Sequence, residues 1–132
     1  MLYRTMYNMV LYFAYICCMK LEKTNAQMRK GVLELCILSI ISNKESYTSN
    51  ILSTLKSSDL LVVEGTLYPL LTRLKNDGLL SYRWEESTSG PPRKYYSITT
   101  DGAKVLESLT NNWNELSNSV NSLINLKSTN HE

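Results

Sequence analysis

The stretch EGTLYPLLTRLKNDGLL, residues 64 to 80, joins a leucine stripe to a second side carrying Thr66, Tyr68, Pro69, Thr72, Arg73 and Lys75. Leu67, Leu70, Leu71 and Leu74 fall at i, i+3, i+4 and i+7, the spacing of a helix that buries one face. Burial accounts for the leucines and leaves the other side to be explained. Compact hydroxyl groups hydrogen-bond to polar edges, guanidinium and ammonium groups attract phosphate, and the open N–H groups at a helix start suit an anion. Together these groups match a duplex major groove. A merely solvated face would explain Thr72, Lys75 and Asn76 and fits Tyr68 less well. A second basic pair, Arg93 and Lys94, follows Gly90-Pro91-Pro92 and is placed to reach phosphates from the tip of a turn.

Other chemistries find little support. The single histidine, His131, is next to last in a polar tail, and no glycine-rich phosphate loop, paired-carboxylate cleft or nucleophile–base pair can be placed, so an enzyme is the weakest reading. Cys17 and Cys18 are adjacent and Cys36 sits in an apolar run; no spacing suits a disulfide framework or a zinc site, which points to a reducing compartment without metal or cofactor. Formal net charge is only +2, so attraction to a polyanion must come from charge distribution. Between Thr66 and Lys94 there are five basic residues and three acidic ones, a mild excess.

The elements that would position these groups read as follows. At 132 residues the chain has room for one domain with a modest core. MRKGVLELCILSIIS (28–42) is apolar on nearly all faces, which asks for burial on several sides and implies a subunit interface through Val32, Leu35 and Cys36, the central helix of a monomer being the other reading. A short helix is expected over Tyr47 to Leu55 with Ser46 as its cap. The leucine-striped helix is expected over Thr66 to Asp77, with Pro69 in its first turn and Gly78 supplying the left-handed residue that ends it. LLSYRWEESTSGPPRKYYSIT alternates and reads as a hairpin whose tip is shaped by the glycine and two prolines; Tyr82 and Trp84, on the Leu80 face, are expected in the core. A long helix follows, with Thr100 as its N-cap and Asp101 in its first turn. Its Leu106, Leu109, Trp113, Leu116, Val120 and Leu123 are spaced 3, 4, 3, 4, 3, a heptad seam that seeks another helix.

Upstream, every residue from Met6 to Met19 except Asn8 is apolar or tyrosine, a stretch of 14, short of the roughly 20 that cross a membrane. A partner-binding or membrane-peripheral helix, an element packed on the domain, and an upstream translation of a gene that starts at Met19 are the readings, the last being favoured.

Helix, helix, helix, hairpin, long helix is the order of a winged helix-turn-helix with an appended C-terminal dimerisation helix: mainly α with a small β-hairpin. MRKGVLELCILSII, GTLYPLLTRLKNDGLL, SGPPRKYYSIT and WNELSNSVNSL resemble, in order and spacing, the PadR family of winged-helix transcriptional regulators. The resemblance covers about Ala26 to Leu126, giving an extension over 1–25, a winged helix-turn-helix over 26–99, a dimerisation helix over 100–126 and a polar tail over 127–132. It implies a cytoplasmic homodimer on a double-stranded DNA operator with twofold symmetry, most often a repressor, often autoregulatory. It places Thr66, Tyr68, Pro69 and Arg73 in the recognition helix and Gly90, Pro91, Arg93 and Lys94 in the wing. Trp113 matches a tryptophan that, in multidrug-sensing relatives, lines a flat pocket for a small aromatic effector at the dimer centre; interface packing is its simpler role. Where the family's second helix usually opens with a Tyr-Gly-Tyr-Glu-like pattern, this chain has Tyr47-Thr48-Ser49-Asn50, so Tyr47 keeps the first aromatic and Ser49 replaces the second with a shorter hydroxyl. A winged-helix protein-interaction module without DNA binding is the alternative, favoured by the low net charge and Ser49.

Overall fold

A computed structural model describes residues 2–126; the polar tail with His131 lies outside the described residues. In chain order the elements are α1 (Leu2–Asn43), β1 (Ser46–Tyr47), α2 (Thr48–Ser57), α3 (Glu64–Asn76), β2 (Leu80–Ser87), β3 (Gly90–Ile98) and α4 (Thr100–Asn125). The chain is mainly helical, with three antiparallel strands in the order β1-β3-β2. Two units divide it between Glu34 and Leu35. In the first, residues 2–25, read from the sequence as part of an N-terminal extension, are helical, and Leu2, Tyr3, Met6, Tyr7, Val10 and Phe13 are exposed. Among the described residues no helix is long and apolar enough to cross a membrane.

The core of the second unit is built from leucine and isoleucine side chains that the helical spacing places on facing sides. Ile37, Leu38 and Ile41 come from α1, Ile51 and Leu55 from α2, Leu67, Leu71 and Leu74 from α3, and Leu80 and Tyr96 from the sheet. Val32, Leu35 and Cys36 are half-buried rather than enclosed on all sides. Burial pushes the Cys36 thiol above its ordinary value.

Several local features differ from the sequence expectation. Ser46 does not cap α2. It belongs to a two-residue strand that pairs with Tyr96, its hydroxyl donates to the Lys44 carbonyl (2.8 Å), and Tyr47 occupies the cap position without a side-chain bond. Helix α3 starts at Glu64, two residues earlier than expected, so Pro69 sits past the first turn and removes the N–H that would meet the Gly65 carbonyl. Both residues are exposed, so water can satisfy that carbonyl. At the other end Gly78 takes φ +76°, as its sequence position implies. Leu79 N–H donates to the Leu74 carbonyl (2.9 Å) and Gly78 N–H to that of Lys75 (3.1 Å), which closes the helix and turns the chain into β2. The cap of α4 is Thr99, not Thr100: its hydroxyl accepts from Gly102 N–H (3.0 Å) and donates to the Gly78 carbonyl (2.6 Å), tying the start of α4 to the end of α3.

Candidate nucleic-acid interface

Three elements bring the polar groups together. The start of α2 supplies Tyr47, Thr48 and Ser49, α3 supplies Glu64, Tyr68 and Thr72, and the hairpin supplies Trp84, Pro92, Arg93, Lys94 and Tyr96; these line one hollow of about 390 Å³. Of the ten residues expected to meet DNA, Tyr47, Ser49, Tyr68, Thr72, Arg93 and Lys94 are gathered here. Thr66, Pro69, Arg73 and Lys75 are exposed on α3 outside it. Tyr68 is 49% exposed although its neighbours Leu67 and Leu71 are fully buried, so the leucine stripe presents the other side of α3 to solvent. Thr72 spends its hydroxyl proton on the Tyr68 carbonyl (3.0 Å), which leaves its lone pairs and methyl for a partner. Arg73 reaches Asp77 one turn on (3.5 Å), and Lys75 lies 5.8 Å from the centre of the Tyr82 ring. Neither α2 nor α3 carries a side-chain cap, so their first N–H groups remain suited to an anion.

The wing differs from its expected form in three respects. Its tip is Thr88-Ser89, because Ser87 pairs with Gly90. Arg93 and Lys94 stand farther back, opposite Glu85 and Trp84. Pro91 and Pro92 oppose Glu86 alone, a two-against-one bulge that spares the ladder the N–H groups they lack. Neither Tyr82 nor Trp84 is core: the alternation assigns their face correctly, but beyond Leu80 the strand leaves the core, the Tyr82 ring being 38% and the Trp84 indole 61% exposed.

Cations on the wing lie over aromatic rings. Arg93 sits 4.8 Å from the Tyr47 ring centre, and Lys94 sits 4.5 Å from Tyr82 and 5.1 Å from Trp84. On the face shared with Arg93, Tyr47 and Tyr95 rings are tilted at 5.3 Å and Arg83 covers Tyr95 at 5.0 Å. Arg83 forks onto Glu45, with Nε to Oε1 at 2.8 Å and Nη2 to Oε2 at 3.0 Å; its Nη1 donates to Glu85 (2.9 Å), and Ser97 Oγ donates to Glu45 (3.1 Å). The Arg83 hydrogen bond holds the Glu45 carboxyl below its usual range, and Glu45 in turn raises Arg83. This clasp joins the wing to the turn after α1. The sequence does not reveal it because the partners are 38 residues apart and no local pattern links them.

Leu106 and Leu109 are half-buried, while Trp113 (44%), Leu116 (57%), Val120 and Leu123 are exposed along the helix. No group of three or more His, Cys, Asp or Glu side chains is placed to hold a metal ion among the described residues.

The model of the transcriptional regulator PadR-like family matches residues 37–108. The chain belongs to that family. Among solved structures it is similar to a PadR-like transcription factor from Bacteroides fragilis, with 54% identity over 76% of this chain and 98% of that one and a TM-score of 0.65. A PadR family transcriptional regulator from Eggerthella lenta gives 31% identity, 79% and 91% coverage and a TM-score of 0.74. One from Bacillus cereus gives 42% identity, 74% and 96% coverage and a TM-score of 0.67. An uncharacterised protein from Lysinibacillus sphaericus is 30% identical over 66% of this chain and 83% of its own length. PadR-family proteins are DNA-binding transcriptional regulators, not enzymes, and that is the class of this chain.

Proposed function

We propose that this PadR-family protein is a cytoplasmic homodimeric repressor that reads a twofold-symmetric operator, in many settings its own. The observation that carries the reading is the convergence of Tyr47, Ser49, Tyr68, Thr72, Arg93 and Lys94 around one hollow beside an outward-facing α3. Tyr68 and Arg73 lie against base edges in the major groove, while Lys75, Arg93, Lys94 and the uncapped starts of α2 and α3 hold phosphates. The exposed run Trp113, Leu116, Val120 and Leu123 packs against the same helix of a second copy, with Leu35 and Cys36 of α1 adding to the interface. Trp113, at the N-terminal end of that exposed run, is where a small aromatic effector would relieve repression.

Binding of a labelled duplex across a salt series tests this. If Lys75, Arg93 and Lys94 of both protomers each meet a phosphate, the slope of log affinity against log salt is about −5. Tyr68→Ala and Arg73→Ala then weaken binding to the preferred sequence by about tenfold or more and leave the dimer intact. Wild-type affinity in both variants would remove α3 as the reader. The interaction-module reading draws on Glu64 at the rim of the hollow and the net charge of +2; a slope near zero would favour it.

A further inference from the structure

Trp84 has no role in the core and none among the DNA contacts proposed for α3, Arg93 and Lys94. It stands on the α3-facing side of the hairpin and lines the hollow with Tyr68 and Thr72, yet most of its surface is open. The indole is nevertheless held in place. Tyr82 meets it edge-on, with ring centres 6.2 Å apart and planes at 86°. Lys94, its partner across the strands, lies 5.1 Å from the ring centre. A braced, exposed indole beside a cation is an apolar platform, and orienting it in advance lowers the entropic cost of using it.

We infer that Trp84 is a DNA-contacting residue that packs its indole against the deoxyribose next to the phosphate bound by Lys94. The inference rests on the DNA-binding reading. Its geometry follows from the chemistry of the backbone: each phosphate is ester-linked to a sugar on either side, so a phosphate drawn to the Lys94 ammonium brings an apolar sugar edge over the adjacent ring. Bases are not the occupant. In an intact duplex their faces are stacked on one another and only their edges are open, whereas stacking on aromatic side chains belongs to single strands. The contact is therefore blind to sequence and independent of charge. Lys94 and Trp84 divide the work, the first supplying the salt-dependent part of wing binding and the second a salt-independent part.

Affinity is measured by anisotropy for two labelled duplexes, the tightest binder selected by the wild-type chain from a random pool and a scrambled duplex of equal length. Trp84→Ala weakens both by the same factor, about tenfold, and leaves the salt slope unchanged. Trp84→Phe recovers most of the loss, while Lys94→Gln makes the slope shallower by about one for each phosphate that the ammonium had neutralised. The chain has two tryptophans, so comparing the emission change on DNA addition in wild type and in Trp84→Phe isolates the residue; the change disappears in the variant. Wild-type affinity in Trp84→Ala, a loss confined to the selected duplex, or an emission change that survives in Trp84→Phe would overturn the assignment. Circular dichroism checks that Trp84→Ala is folded, and if it is not, the emission of Trp84→Phe decides. Failure of the wild-type chain to bind either duplex removes the DNA-binding reading and this contact with it; wild-type binding that ignores Trp84 removes this contact alone.

Discussion

Replacing Gly102 with alanine tests how closely α4 is seated on the wing. Gly102 is buried in the first turn of α4, and a Cβ built on it overlaps the Leu79 carbonyl oxygen and comes within 2.8 Å of Ile98 Cγ1. The first obstacle is backbone and cannot rotate away. That same oxygen accepts the Thr99 N–H at 3.1 Å, and Gly102's own N–H is bound by the Thr99 hydroxyl at 3.0 Å. Any shift that admits the methyl strains both bonds. Overpacking of this kind costs about 1–3 kcal/mol, and a weakened cap adds about 1 kcal/mol. Against this, alanine gains about 1 kcal/mol over glycine in helix propensity. The balance is a loss of about 1–3 kcal/mol, read as a lower urea midpoint at unchanged slope and fixed protein concentration. Gly31→Ala is the control, because nothing approaches its Cβ within 4 Å, and it should gain up to about 1 kcal/mol. A Gly102→Ala protein as stable as its parent would refute the packing argument.

Three further outcomes follow from other features. Leu116→Asp places a charge in the middle of the exposed α4 seam and should yield monomers by light scattering, with specific DNA binding lost because each half-site supplies only part of the affinity. Thr99→Ala removes both the acceptor for Gly102 N–H and the donor to the Gly78 carbonyl, and should cost about 1–2 kcal/mol in the same urea assay. Burial, then electrostatic interaction with Tyr68 and Tyr82, raises Tyr96 above the ordinary phenol value, so the folded chain keeps a proton that the unfolded chain releases above about pH 10. Stability contributed by neutral Tyr96 is thus complete below that pH and lost above it, and Tyr96→Phe should flatten the alkaline arm of the stability profile.

How far the sequence revealed this arrangement depends on how local each determinant is. Gly78 ended α3 as expected because one residue's backbone freedom suffices for that closure. The start of α3 was misplaced because Val63, a residue with no capping group, holds the cap position and leaves no polar signal. Strand β1 was not legible: two residues, Ser46 and Tyr47, become a strand only because Tyr95 and Tyr96 lie beside them. Alternation assigned Trp84 to its face but carried no information on where along the strand the core ends. Arg93 and Lys94 were legible as a basic pair beside a turn, whereas their setback from the tip depends on a pairing register fixed by the bulge. The family resemblance reached α3 and the hairpin through short blocks that each keep their own spacing.

The two prolines of the wing have a consequence for the chain among its copies. Strand β1 covers β3 only at Tyr95 and Tyr96, so on that side the outer half of β3 is a bare sheet margin. Such margins template extension by strands from other molecules. Pro91 and Pro92 lie in that outer half, and the bulge they form with Glu86 breaks its regular register, which makes it a poor seed for intermolecular sheet growth when many copies crowd together.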